Sequence, residues 1–329
     1  MHDLILRAWQ NKNAFFYLVL IPLSWVFAAI SALRHWAYRI GLLPSQALAV
    51  PVVVVGNINV GGSGKTPVVI WLVAELKKHG FTPGVISRGY GANNNQPARV
   101  HKDSLAMEVG DEPLLIARRS NCPVWVGKCR VAAGKALLQA HPECDIMISD
   151  DGLQHYHLQR SLEIAVVDRQ SVGAQYLLPA GPLREPQGRL NTVDAVICNG
   201  IKKLDGAFEM QLQGQAFYNL LKPTQQVTVK HFKGKSVKAL AGIGKPERFF
   251  NTLISLGLVF EGLSFEDHHA FTAEDLESIL CEALVMTEKD AVKCQPFAKA
   301  HYWVLPVDAK MDATLLPMLL SKLKAVTKE

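Results

Sequence analysis

The sequence predicts an α/β protein built on a mainly parallel sheet with helices on both faces. Three observations carry that expectation. Residues 52–55 are four consecutive valines, as in a strand buried on both sides, and they empty into the turn Gly61-Gly62-Ser63-Gly64 followed by Lys65 and Thr66. A second apolar run, residues 144–149, ends in the paired acids Asp150 and Asp151. Strand-like and helix-like segments alternate through residue 198, the texture of a doubly covered parallel sheet.

The chain opens on a hydrophobic segment. Residues 13–33 carry no formal charge and are long enough for a membrane-associated helix. Pro22 interrupts the run, and Arg7, Lys12, Arg34 and Arg39 flank both ends, so charge asymmetry gives no orientation. No small-residue cleavage site suits a signal peptide. Trp9, Trp25, Trp36 and Tyr38 are interfacial types. Three arrangements stay open: insertion in or across the bilayer, an amphipathic hairpin on its surface, and a helix pair packed on the globular body.

The strand–turn–helix around Lys65 is a phosphate-binding loop by context. Asn59, Val60, Gly61, Gly62, Ser63 and Gly64 would present backbone N–H groups to phosphates. Lys65 would reach the β/γ-phosphates, and the Thr66 hydroxyl would sit on Mg2+. Asn59 stands where the usual pattern has glycine, and asparagine tolerates left-handed backbone angles better than most residues. The fold expected is therefore P-loop NTPase-like, with ATP as the nucleotide.

Apolar residues at helical spacing predict a helix over 66–79, ended by Gly80. Next come a strand from 84, a helix over 111–119, a strand over 123–126 and a helix over 130–140. Strands follow over 144–150, 162–168 and 194–198. Beyond residue 200 the pattern alternates, predicting antiparallel half-exposed strands over 209–220 and 226–232. Strand–helix units resume at 237–242 with 246–255, a strand spans 258–265, another 284–287 and a last 302–307, and a helix over 313–325 closes the chain. The divisions are an N-terminal hydrophobic segment (1–46), a P-loop kinase core (47–205) and a smaller C-terminal α/β lobe (206–329).

A net charge of +6 suits an anionic partner without selecting one, and no basic stripe interleaved with aromatics points to nucleic acid. Six scattered cysteines, with no Cys-x-x-Cys pair, fit free thiols in a reducing compartment.

Several segments could carry chemistry. Asp150 and Asp151 stand where P-loop enzymes keep the carboxylate of the magnesium shell; alternatively they cap a following helix. Asp111, after Gly110, is either a helix N-cap or a catalytic acid. Asp267-His268-His269 offers a carboxylate–histidine pair able to deprotonate a hydroxyl. His155 and His157 read as structural or substrate-shell residues. Arg184 could stabilise a transferring phosphoryl group and Glu185 join the metal shell, or the two form a surface ion pair in a proline-rich connector. Arg88-Gly89-Tyr90 is an anion-binding loop or a plain turn. Thr287-Glu288-Lys289-Asp290 compares with the guanine-reading motif of GTPases, but its lysine is third rather than second, which favours ATP. Lys289 is retained as a nucleotide-binding candidate.

Taken in order, the segments 55–67, 87–91, 110–113, 150–155, 178–185, 267–268 and 287–290 resemble the tetraacyldisaccharide 4′-kinase (lipid A 4′-kinase) family of Gram-negative bacteria. The resemblance implies ATP- and Mg2+-dependent phosphorylation of the 4′-hydroxyl of a tetraacyl glucosamine disaccharide 1-phosphate at the cytoplasmic face of the inner membrane. It implies no obligate protein partner. It makes Asp111 with His268 the activating base, Asp150 and Glu185 metal-shell residues, and Asp151 a supporting acid. Arg184 becomes a phosphate contact, and Arg88 and Tyr90 border the substrate. The competing reading is a membrane-associated P-loop ATPase or GTPase switch under a protein partner. A transporter nucleotide-binding module is a third, but its Leu-Ser-Gly-Gly-Gln signature is missing.

Overall fold

The computed structural model describes residues 14–89, 96–200 and 204–326. Two sheets organise the chain. The larger has nine strands in the order Asp308–Met311, Phe208–Gln213, Ala195–Asn199, Leu162–Val167, Val52–Gly56, Ile146–Asp150, Pro83–Ser87, Val124–Val126 and Ala98–Arg99. All of its pairings are parallel except the two outermost. Its central strands are buried on both faces, which is why they read as continuous apolar runs.

The helix Lys65–Lys78 packs Val68, Val69, Leu72, Val73 and Leu76 into the core on one side of this sheet. Leu137 of the helix Arg130–Ala140 and Val131 fill the other. Gly80, at φ +85°, turns the chain after the first helix. The chain later returns to this sheet: the strand Asp308–Met311 and the buried Leu315, Leu319 and Leu323 of the last helix complete its core.

The second sheet has six strands, ordered Gln226–Val227, Phe217–Asn219, Tyr302–Leu305, Ala283–Thr287, Val237–Ala241 and Glu261–Ser264. Its last four are mutually parallel. The expected antiparallel strand over 209–220 divides in two. Phe208–Gln213 runs parallel to Ala195–Asn199, whereas Phe217–Asn219 crosses to the second sheet and pairs antiparallel with Tyr302–Leu305. Alternation reports one exposed face, not the direction of a neighbour. Over 226–232 only Gln226–Val227 is strand; Val229–Phe232 is a 3-10 turn that packs Phe232 against Phe217 and Trp303.

The N-terminal helix runs continuously through Pro22, over Ala14–Arg39. Its segment Val19–Arg39 is the one helix among the described residues long and apolar enough to cross a membrane. It lies along the body instead of standing free. Ser24, Ser31, His35 and Tyr38, at spacings of one or two turns, face inward, while Trp25, Val26, Ile30, Leu33 and Trp36 are exposed.

Candidate active site

Parallel strands deliver their carboxyl ends to one edge, and both sheets turn that edge toward a common crevice. From the larger sheet come residues 57–64, Ser87-Arg88, Asp150-Asp151, Asp168 and Asn199. From the smaller come residues 242–245, 265–269 and Lys289. Gly244 approaches the backbone nitrogen of Gly62 so closely that a Cβ there would stand 3.6 Å from it.

The glycine loop is held from three sides. Within it, the Asn57 side-chain amide donates to the Gly61 carbonyl and the Ser63 hydroxyl at 3.3 Å each. Asn199 donates to the Ser63 carbonyl at 2.8 Å. From the 177–185 loop, Val60 N–H donates to the Pro182 carbonyl at 2.8 Å and Arg184 N–H to the Ile58 carbonyl at 2.7 Å. Gly61 and Gly64 take φ of +100° and +97°. Asn59 is not left-handed: it bridges to Leu183 in extended form, with its buried side chain accepting from Ser171 at 2.7 Å. The strap against residue 183 removes the need for glycine there.

At Gly64 the requirement is strict, since a Cβ would lie 2.4 Å from the Asn199 amide nitrogen at an unfavourable φ. Gly64→Ala is therefore expected to cost about 1–3 kcal/mol of strain. The measurable result is a lower Tm.

Lys65 opens the helix, 9% exposed, with Nζ 3.4 Å from Asp151 Oδ1. Arg184 holds the other oxygen of Asp151 at 3.0 Å. Burial raises the Asp151 carboxyl, but Lys65 and Arg184 outweigh it and hold it well below the usual carboxylate range. Asp151 sits at φ +49° in a turn, so neither acid caps a helix. Asp150 is fully buried, with Oδ2 accepting from Ser87 at 3.1 Å and Oδ1 lacking a hydrogen-bond partner. Burial, then the charges of Glu112 and Asp151, push its carboxyl up to about 7.

An orphaned carboxylate oxygen among acids is an arrangement that a hard divalent cation satisfies. No group of three or more His, Cys, Asp or Glu suited to a metal occurs among the described residues. Magnesium commonly takes one or two carboxylates and completes its shell with phosphates and water. Asp150, the half-buried Thr66 and Glu185 are thus compatible with it. Glu185 accepts from Gln154 at 3.0 Å and from the Tyr156 hydroxyl, and Gln154 also donates to the Asn57 carbonyl at 2.9 Å.

Across the crevice, Asp111 is the first helical residue after Gly110, not the cap, and its Oδ1 accepts from Glu112 N–H at 2.9 Å. Its Oδ2 lies 3.0 Å from His268 Nδ1, with His268 in a left-handed conformation at φ +64°. His269 faces away, pairing with Asp275 at 3.2 Å. Lys289 joins this cluster, 3.2 Å from Glu112, 3.3 Å from Asp267 and 3.4 Å from His268 Nε2. Burial raises the Asp111 carboxyl, but the His268 hydrogen bond and the Lys289 charge bring it down to about 2. The same hydrogen bond raises His268, against a smaller opposing effect of burial. Arg88 is exposed at its strand end, and Tyr90 lies outside the described residues.

Sequence reasoning missed two buried groups. Arg130 donates to the carbonyls of Gly127, Asp150 and Asp151 at 3.3–3.4 Å and so braces the acidic turn. Nothing local distinguishes such an arginine from a surface one. Asp168 receives Lys245 and Arg248 from the second sheet's side and caps its own short helix through Ser171. Its position at a strand tip was a usable signal. His155 is half-buried beside Arg130 and Arg160, and burial first brings it down to about 4, as for a structural histidine.

A parallel sheet whose central strand empties into a lysine-bearing glycine loop, with acids at the adjoining strand tip, is the architecture of P-loop nucleotide-binding proteins, and this chain is of that class. Its family is shown by direct likeness. The profile described as "LpxK: Tetraacyldisaccharide-1-P 4′-kinase" matches residues 16–324, and the chain belongs to that family. The tetraacyldisaccharide 4′-kinase of Methylobacillus flagellatus is 48% identical over 318 residues, covering 96% of this chain and 95% of the relative. That of Azoarcus sp. is 49% identical over 313 residues, covering 93% and 92%. The crystal structure of "apo" form LpxK from Aquifex aeolicus in complex with ATP superposes with a TM-score of 0.78 at 29% identity, covering 92% of this chain and 98% of that one.

Proposed function

We propose that this chain transfers the γ-phosphoryl group of ATP to the 4′-hydroxyl of a tetraacyl glucosamine disaccharide 1-phosphate. The observation that carries the reading is the presence of the Lys65–Asp151–Arg184 group and the Asp111–His268 pair in one site, linked through Glu112, the neighbour of Asp111, whose charge acts on Asp150 beside Asp151. The first group handles the phosphates, and the second can accept the proton of an attacking hydroxyl.

The acceptor oxygen attacks the γ-phosphorus as its proton passes to the Asp111–His268 pair. The new O–P bond forms, the bond to the β-phosphate oxygen breaks, and ADP leaves with that electron pair. Asp111 holds His268 through Nδ1 and supports the imidazolium that results when the pair takes the proton. Lys65 and Arg184 stabilise charge on the transferring group, with Asp151 fixing both cations. Arg88 borders the acceptor. Lys289 sets the charge around the dyad, and residues 61–64 with Thr66 cradle the phosphates, the Val60 N–H being taken by Pro182 and Asn59 by Leu183 and Ser171. Mg2+, held by Thr66, Asp150 and Glu185 when bound, neutralises phosphate charge.

The acceptor's acyl chains keep it in a bilayer, since each buried methylene contributes about 0.8 kcal/mol. The exposed stripe Trp25, Val26, Ile30, Leu33 and Trp36 suits contact with it at the cytoplasmic face of the inner membrane. Because Ser24, His35 and Tyr38 contact the body, the helix lies in the interface in preference to crossing. Replacing Trp25, Ile30 and Leu33 with Asp is expected to lower co-sedimentation with anionic vesicles by about tenfold or more. Unchanged co-sedimentation would refute this membrane contact.

The test of the activity is incubation with γ-labelled ATP, Mg2+ and the lipid acceptor. Label should appear in the lipid. Label found only as inorganic phosphate would instead indicate the partner-controlled switch.

A further inference from the structure

We infer that the inner face of the N-terminal helix is a splint for the phosphate-handling loops, making Ser24, His35 and Tyr156 positioning residues of the reaction. This goes beyond membrane attachment, and it rests on the phosphoryl-transfer reading above.

The helix reaches the site along two routes. Ser24, 3% exposed, accepts from Ala180 N–H at 2.9 Å and donates to the Leu177 carbonyl at 2.7 Å. Both partners belong to the loop that carries Arg184 and Glu185, and that loop in turn bonds Ile58 and Val60 of the glycine loop. Eleven residues on, three helical turns along the same face, His35 stacks on Tyr156 with ring centroids 4.6 Å apart and planes at 11°. Tyr38 tilts against the same ring at 6.0 Å, and the Arg160 guanidinium stands 5.2 Å from its centroid. The Tyr156 hydroxyl then donates to Glu185.

A purely anchoring helix needs only its outer apolar face. Here a buried hydroxyl and a stacked imidazole occupy the inner face, and both lead to residues 177–185. Fixing that loop restricts Glu185 and Arg184 to one geometry, and partners of this supporting kind typically change activity or metal affinity by about 10–100-fold.

The test compares Ser24→Ala, His35→Ala and Tyr156→Phe in the full chain, in mixed micelles with saturating lipid acceptor. Three readouts apply: kcat, amide hydrogen exchange of residues 177–185 without nucleotide, and co-sedimentation with anionic vesicles. Tyr156→Phe, which removes one oxygen, should lower kcat about tenfold. Ser24→Ala and His35→Ala should speed exchange across 177–185, and all three variants should bind vesicles like the parent. His35→Ala combined with Tyr156→Phe should be no worse than Tyr156→Phe alone, because both act through one hydroxyl. Unchanged exchange with parental kcat would overturn the splint, as would kcat losses that follow vesicle binding. Glu185→Gln separates the two readings. If it is impaired while Tyr156→Phe is not, the splint alone fails. If it matches the parent, the role of Glu185 in phosphoryl transfer fails, and the splint with it.

Discussion

Lys65→Ala is expected to lower kcat for lipid phosphorylation by about 100- to 1,000-fold, with a folded protein remaining. The lysine is nearly buried at the start of its helix and shares Asp151 with Arg184, so its charge is fixed before nucleotide arrives. Charge developing on the transferring group then meets a cation that need not reorganise. Arg184 alone does not compensate, because its guanidinium is engaged with both oxygens of Asp151 and its backbone N–H is tied to Ile58. Lys65→Arg should not rescue, since a planar guanidinium fork does not replace a compact ammonium at a buried site. Single-turnover transfer of labelled phosphate checks this, with Tm as the control for folding. A loss below tenfold would show that Lys65 does not carry the phosphoryl charge.

Asp111→Asn is the second large effect, with kcat falling by about 100- to 10,000-fold and ATP affinity nearly unchanged. The pH profile makes the assignment specific. His268 is raised above the ordinary histidine value of about 6.5 because Asp111 stabilises its charged form. The pair accepts a proton only once the imidazole is neutral, so kcat rises as pH increases through that raised value. Asp111, held at about 2, stays ionised throughout the accessible range. Asparagine removes the anion, so the limb should move to lower pH while its plateau drops. A limb that stays in place in Asp111→Asn would exclude His268 as the titrating group.

Much of the larger sheet was legible because its strands are buried on both faces and its turns carry glycine and paired acids. Val52–Gly56, Ile146–Asp150 and Leu162–Val167 all read directly from apolar runs. The 208–219 region was not, since alternation cannot say which sheet a strand joins, and Phe208–Gln213 and Phe217–Asn219 join different ones. Asn59 looked like a weakened glycine only because its partner, Leu183, lies more than a hundred residues away. At the site, local spacing could propose Asp111 and His268 separately but not unite them. Their hydrogen bond spans 157 residues and depends on how the second sheet faces the first. Arg130, Tyr156 and Ser24 escaped notice for the same reason: each acts through a contact distant in sequence. The inward and outward faces of the N-terminal helix became distinct only when the body beneath it was known.

The central claim is that the Asp111–His268 pair directs the γ-phosphoryl group to one particular sugar hydroxyl. Phosphorus–proton correlation NMR of the isolated lipid product tests it most directly. The account predicts a new phosphomonoester whose phosphorus couples to the 4′ proton of the distal glucosamine, absent from the Asp111→Asn reaction over the same time. Coupling to any other sugar proton, or the same product formed at parental rate by Asp111→Asn, would contradict it.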